Sequence, residues 1–218
     1  MIASAESNDR HVLVVFARSP VLGKVKSRLA AEIGDAAALR VYRAMAEGVW
    51  ERTAGGRFAR WLSFSPADEG NVLRAWLPGA DRYVPQLESE NLGDRLAHAF
   101  EAAFGSGAEL VVVVGTDVPG LTSTLVEESY RVLADHSAVM GPSTDGGFWL
   151  LGLRAPSRAD FRGVEWGTPR AAEGMLKNLR SAGHSVAMAQ ELVDVDTADD
   201  LRLFPELLAL ADSIKGAS

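Results

Sequence analysis

Four cations, Arg18, Lys24, Lys26 and Arg28, sit in the stretch "ARSPVLGKVKSRLA", residues 17 to 30, just after the apolar run "HVLVVFA". No acid occurs between residues 10 and 31, although the chain carries 29 acidic against 22 basic residues and a formal net charge of -7. Positive charge is therefore segregated onto one loop. Pro20 and Gly23 permit a tight turn there, and the free amides of a following helix would add donors for an anion, so a phosphate is the natural occupant. The spacing fits neither common phosphate fingerprint. Arg18 stands five residues before Gly23 where a second glycine is needed, Val25 follows Lys24 where a hydroxyl is needed, and the three-glycine dinucleotide spacing is missing. On the cluster alone, a basic helix end on an ordinary surface is the competing reading.

Carboxylates recur at two further places. Asp117 follows "ELVVVVGT", where it can hold Mg²⁺, a hard cation that takes few protein oxygens and keeps phosphate and water as its other ligands. Equally, it can bond the amides of its own turn. In "LVDVDTADDL", Asp194 and Asp196 lie two apart and share a face if the segment is a strand, and their mutual repulsion favours a nearby cation. Thr197 and Asp200 fit a capping box, which assigns Asp199 and Asp200 to a helix start. Asp145, Gly146 and Gly147 in "GPSTDGGFWLLGL" read either as a hairpin turn or as a glycine-rich lip beside an acceptor. "NLGDRLAHAF" reads as a second glycine loop opening a helix capped by Asp94, and Thr168 and Pro169 as the cap and first residue of another. Other chemistries lack their residues. There is no cysteine for a disulfide, a thiolate zinc site or a thiol nucleophile, the four histidines have no metal-ligand spacing, and no serine lies in a nucleophile elbow.

The elements that must position these residues alternate along the chain. "HVLVVFA", "FARWLSF", "DRYVPQL", "ELVVVVGTD", "SAVMG", "GFWLLGL" and "LVDVD" read as strands, separated by helical patterns, with "ADDLRLFPELLALADS" as a last helix. Four consecutive valines suit the centre of a parallel sheet covered on both faces. Strands alternating with helices imply an α/β sandwich, whose ligands bind beyond the carboxyl ends of the strands. At 218 residues and 47% hydrophobic content, the chain reads as one domain over residues 11–218 behind a flexible polar tail, residues 1–10. Net negative charge argues against a long nucleic acid as partner. No run approaches the roughly 18 apolar residues of a membrane span, and the start lacks an apolar signal core. Absence of cysteine fits a reducing cytoplasm, and composition leaves a homodimer open.

Taken in order, the basic loop, the Gly-Thr-Asp-x-Pro turn, the Asp-Gly-Gly loop and the closing Asp-x-Asp-Thr-x-x-Asp-Leu resemble the nucleotide-diphospho-sugar transferase superfamily of GT-A fold, over about residues 11 to 205. Within it, the chain is similar to a transferase family with "FARxPxxGxVKxRLA", "GTDxPxLT" and "DGGxxLxGL" segments, to 2-phospholactate guanylyltransferase, and to molybdenum-cofactor nucleotidyltransferases. The resemblance implies a three-layer sandwich with a mostly parallel central sheet. It further implies a nucleotide lined by Ala17, Arg18, Gly23, Lys24, Lys26, Arg28, Gly93 and Thr116, and catalysis by Lys26, Arg28 and Asp117. Mg²⁺ (or Mn²⁺) would sit on Asp117 and Asp196, and a small-molecule acceptor beside Asp145, Gly146 and Gly147. The implied reaction is transfer of a nucleotidyl group from a nucleoside triphosphate to a small phosphorylated acceptor, with release of pyrophosphate. A glycosyltransferase using a nucleotide sugar and a non-catalytic nucleotide-binding module are the alternatives. Two features depart from the relatives. The glycine-rich opening ending in Arg-Met-Gly is replaced here by "FARSPVLGKVKSRL", and "VGTD" lacks the Asp-x-Asp of many glycosyltransferases, while Asp194-Val195-Asp196 comes too late to serve that role.

Overall fold

The computed structural model describes residues 10–155 and 158–212, so of the expected 1–10 tail only Arg10 lies among the described residues. Seven strands, β1 (His11–Arg18), β2 (Ala59–Ser65), β3 (Arg82–Pro85), β4 (Leu110–Val114), β5 (Ala138–Pro142), β6 (Phe148–Leu153) and β7 (Val186–Met188), form one sheet in the order β3-β2-β1-β4-β6-β5-β7. Its described helices are α1 (Ser27–Ile33), α2 (Asp35–Arg52), α3 (Gly70–Trp76), α4 (Leu92–Gly105), α5 (Ser123–Asp135), α6 (Ala171–Ser181), α7 (Ala198–Leu201) and α8 (Pro205–Asp212), besides two short 3-10 turns.

Side chains alternate across a strand, and the central strands are apolar on both faces, so helices must cover both. Val12, Val14, Val111 and Val113 pack on one side against Phe100 of α4 and Met175 and Leu179 of α6. Leu13, Val15, Val112 and Val114 pack on the other against Val49 of α2, Leu73 of α3 and Val126 and Leu133 of α5. The result is the expected three-layer α/β sandwich. An outlying cluster joins Leu29 of α1, Val41 and Met45 of α2, Leu201 of α7 and Ala211 of α8. It clamps the loop after β1 to the end of the chain.

Only β6 runs against the other strands. It is reached by a hairpin too short for a crossover, so its direction must reverse. In that hairpin the Ser143 amide donates to the Gly147 carbonyl (2.9 Å) and the Gly147 amide to Asp145 Oδ1 (2.7 Å). Gly146 has φ +86°, and a Cβ there would lie 2.1 Å from the Pro169 carbonyl oxygen.

Four local expectations need correction. "LVDVD" is not a strand: it makes a single bridge, Leu192 to Ser143, because it runs past the end of β5 where no further strand is available to pair. The last strand is β7, earlier in the chain. The expected final helix splits into α7 and α8, since the residue before Pro205 is pushed out of helical conformation while proline itself suits a helix start. The capping box at Thr197 and Asp200 is present as expected. At α4 the cap is Asn91, not Asp94, and Thr168 accepts from the Arg170 amide one turn ahead of α6 rather than capping it directly.

Gly146→Ala should cost about 3 kcal/mol in urea unfolding, combining the left-handed backbone with the clash. Gly163→Ala, at φ +68° with open space around it, serves as the control and should cost only about 1 kcal/mol. Equal losses would show that the approach to Pro169 is relieved at no cost.

Candidate active site

Connections lead outward in opposite directions from β1 and β4, and neighbouring strands that do so leave a crevice at their carboxyl ends. The crevice here has a volume of about 700 Å³. Ala17 and Arg18 border it from β1, Gly115, Thr116 and Asp117 from the turn after β4, Ser65 from β2, and Gln86 just beyond β3. Tyr42 of α2 pins the end of β1. Its hydroxyl donates to the Arg18 carbonyl (2.7 Å) and accepts from the Arg18 amide (2.8 Å). Burial, with Asp117 adding its negative charge, pushes the phenol well up and keeps that hydroxyl protonated.

Lys26 ends the basic loop with φ 50° and ψ 50°, the one positive φ outside glycine among the described residues. Such a backbone costs about 1–2 kcal/mol and persists only where the surroundings impose it. Its side chain is 6% exposed, with Nζ 3.0 Å from Asp117 Oδ2 and 3.5 Å from Asp196 Oδ1. Burial alone would lower the ammonium's pKa; Asp117, Asp196 and Asp194 more than offset it and leave the pKa raised. Lys26 is therefore a permanent cation. Arg28, exposed on α1, reaches Asp196 Oδ2 at 2.8 Å.

The late segment supplies its acids by crossing over the sheet edge. The Leu192 amide donates to the Pro142 carbonyl (3.1 Å) and the Val195 amide to the Asp117 carbonyl (3.0 Å). Val195 is fully buried, so the aspartates on either side of it are delivered to the same crevice edge as Asp117. Burial first, then the charges of Asp145 and Asp117, push the Asp194 carboxyl up to about 6, against the opposing pull of its own amide and of Lys26. Asp194 Oδ1 is buried without a hydrogen-bond partner. Among the described residues no group of three or more histidine, cysteine or acidic side chains could hold a metal ion. An orphaned carboxylate oxygen within electrostatic reach of Asp117 nevertheless fits a hard cation that takes one or two protein ligands and completes its shell with substrate and water.

Of the residues singled out in the sequence, the cavity collects Ala17, Arg18, Lys26, Arg28, Thr116, Asp117 and Asp196. Gly23 and Lys24 lie on the exposed loop outside its lining. Gly93 packs elsewhere: a Cβ there would lie 2.7 Å from Trp166 Nε1, and the residue borders a smaller cavity of about 210 Å³ with Asn91, Asp94 and Phe161. Asp145, Gly146 and Gly147 form the hairpin rather than the wall, although Phe148 and Trp149, which follow them, do line the crevice. Sequence reading passed over Tyr42, Ser65, Gln86 and Arg95, which also line it. One signal was there to find: Arg95 lies near the start of α4, the end of a helix where a cation is disfavoured.

A sheet of this order, with a basic, acid-rimmed crevice at its switch point, defines a transferase of the nucleotide-diphospho-sugar class with the GT-A fold. The chain belongs to the family described as "Uncharacterized protein conserved in bacteria (DUF2064)", whose model matches residues 50–168. No curated protein matches it. Among solved structures, it is similar to a candidate nucleotide-diphospho-sugar transferase from Desulfovibrio desulfuricans G20, at 27% identity over 94% of this chain and 98% of that one, with a TM-score of 0.85. It shares its fold with a CMP:2-keto-3-deoxy-manno-octonic acid synthetase complexed with CTP, at 14% identity over 91% and 98% of the two chains and a TM-score of 0.56. The fold is also that of Rv0371c from Mycobacterium tuberculosis H37Rv in complex with manganese, at 19% identity over 92% and 98% and a TM-score of 0.54. No described helix is long and apolar enough to cross a membrane.

Asp194 also makes stability depend on pH in a defined direction. Its folded pKa of about 6 lies above the ordinary carboxylate value, so the folded state holds a proton that the unfolded chain releases, and stability falls as pH rises from about 4 to about 6. Asp194→Asn should therefore melt higher than wild type above pH 6 in metal-free buffer, with the difference closing below pH 4. A constant difference across that range would show that Asp194 does not titrate there.

Proposed function

We propose that this chain is a metal-dependent nucleotidyltransferase that joins a nucleoside monophosphate, taken from a triphosphate, to a small phosphorylated acceptor. The observation that carries this reading is the buried Lys26 ammonium flanked by Asp117 and Asp196 at the switch point of the sheet. In support, one protein of the same fold was solved with CTP and another with manganese. Phosphoryl chemistry of this kind needs positioning and charge stabilisation more than a covalent nucleophile, which matches a crevice of cations and carboxylates.

An acceptor phosphate oxygen bonds to the α-phosphorus as the bond to the bridging oxygen breaks in line, and the electron pair leaves with pyrophosphate. Lys26 and Arg28 stabilise the negative charge that develops on the transferred phosphate and on the leaving group. Because Lys26 stays protonated, it acts as a fixed charge and not as a proton donor. Mg²⁺ or Mn²⁺, held by Asp117 and Asp196 with Asp194 beside them, would supply further neutralisation of the triphosphate. Tyr42 keeps the start of the basic loop in register with β1.

Thermal unfolding with Mg²⁺ across a panel of nucleoside triphosphates and nucleotide sugars tests this directly. At a hundredfold over Kd, a bound triphosphate adds about 2.7 kcal/mol, or roughly 5–10 °C for a protein of this size. The shift should vanish in Asp117→Asn. With the triphosphate so found and small phosphorylated acceptors, Lys26→Met should release pyrophosphate at least about a hundredfold more slowly while its own melting curve still shows a folded protein. Unchanged turnover would overturn the assignment, and a shift with nucleotide sugars alone would move it to glycosyl transfer.

A further inference from the structure

The cavity's cations fall into two classes. Lys26 and Arg28 are matched by Asp117 and Asp196. Arg18 and Arg95, which also line it, form no ion pair with any described carboxylate. Arg95 is half-buried, and its Nε is buried with no hydrogen-bond partner. Its Nη1 makes one long contact, 3.4 Å, to Gln86 Oε1. Gln86 is itself buried and fixed, since its Nε2 donates to the Ser63 carbonyl at 2.9 Å, which leaves Oε1 turned toward Arg95. Loss of water and the facing charge of Arg18 both lower the Arg95 pKa, the reverse of what a counter-ion would do. Near the start of α4, Arg95 also faces the positive pole of its own helix. Desolvation, a like charge and a helix dipole all oppose this cation, and among the described residues no carboxylate pairs with it.

We propose that Arg18 and Arg95, with Gln86 orienting Arg95, form a subsite for an oxyanion of the substrate, a phosphate or carboxylate group, within the crevice that Lys26 also lines. A planar guanidinium suits such a group because its N–H fork matches two oxygens at once. An anion there would relieve the repulsion between the two arginines and satisfy the orphaned Nε. The inference rests on the crevice being the substrate site and not on which bond is transferred.

The test uses inorganic phosphate titrated against chloride at constant ionic strength, read by melting temperature and calorimetry on the whole chain. Wild type should be stabilised, and Arg95→Gln should weaken phosphate at least about tenfold, the scale of a lost hydrogen bond to a charged group. Without ligand, Arg95→Gln should melt no lower than wild type, because the removed charge was unpaired. Should that variant fail to fold, Arg18→Gln, at an exposed position, decides alone and should also weaken phosphate. A full phosphate response in the variants overturns the proposal, as does no response in wild type to phosphate or acetate. It also falls if unphosphorylated nucleosides, but not phosphate, stabilise wild type and lose that effect in Arg95→Gln, for then Arg95 meets a base. Repeating the titration with saturating triphosphate separates two sources. A phosphate response that persists assigns the subsite to the acceptor, and one that disappears assigns it to the triphosphate tail. Because the phosphate arm needs no nucleotide, it still decides the subsite if every triphosphate fails to bind.

Discussion

A buried ammonium held between two carboxylates organises the working edge of this protein. Lys26 reaches Asp117 and Asp196, which come from distant parts of the chain, and the contact closes only because each is fixed by its own backbone. Asp117 follows the all-valine end of β4, and its carbonyl receives the Val195 amide, so the segment bearing Asp194 and Asp196 is tied to the same turn. Lys26 is tied by a left-handed backbone into α1, whose Leu29 is locked in the outlying core with α2, α7 and α8. Removing either carboxylate would leave the buried ammonium less compensated, so the loop, the β4 turn and the C-terminal crossing hold one another in place.

That arrangement also explains why the carboxylates tolerate each other. Asp194 is pushed up to about 6 by burial and by Asp145 and Asp117, while Lys26 pulls it back. Without the lysine the edge would hold four aspartates with little to balance them. With it and Arg28, the edge still carries more aspartates than cations before any ligand arrives, so an added divalent cation would be needed to draw a triphosphate there.

The sequence pattern made the layers legible because the strongest signals were two-sided. "HVLVVFA" and "LVVVV" are apolar at successive positions, and only a sheet covered on both faces can bury such strands. Their order with intervening helices was equally plain, as was the capping box at Thr197. What escaped notice depended on distant chain segments. "LVDVD" has strand-like alternation, yet alternation alone does not supply a partner, and the segment instead bridges β5 and the β4 turn. The Lys26, Arg28 and Asp117 part of the crevice was readable because acids and bases were segregated along the chain. Arg95 was harder to see, since its one local mark is a cation near the start of a helix and its contact to Gln86 joins separate elements, while Gly93, two residues earlier, reads as a loop glycine although it packs against Phe161 and Trp166.

Charge pairing divides the crevice's cations into two sets, to which the proposed reading gives different tasks. In the Lys26 set, cations are already satisfied by carboxylates, so they contribute a preset field that need not reorganise when substrate binds. Arg95, by contrast, is half-buried beside the like charge of Arg18 with its Nε unpartnered, so on the proposed reading an anion bound there would relieve a cost the protein already bears. A stabilising field suits the reacting centre, because it acts equally well on a charge that develops later. A frustrated pair suits recognition, because its gain is realised at the moment of binding. Both sets line one cavity, so on the proposed reading a substrate that meets both would be gripped by the second and acted on at the first.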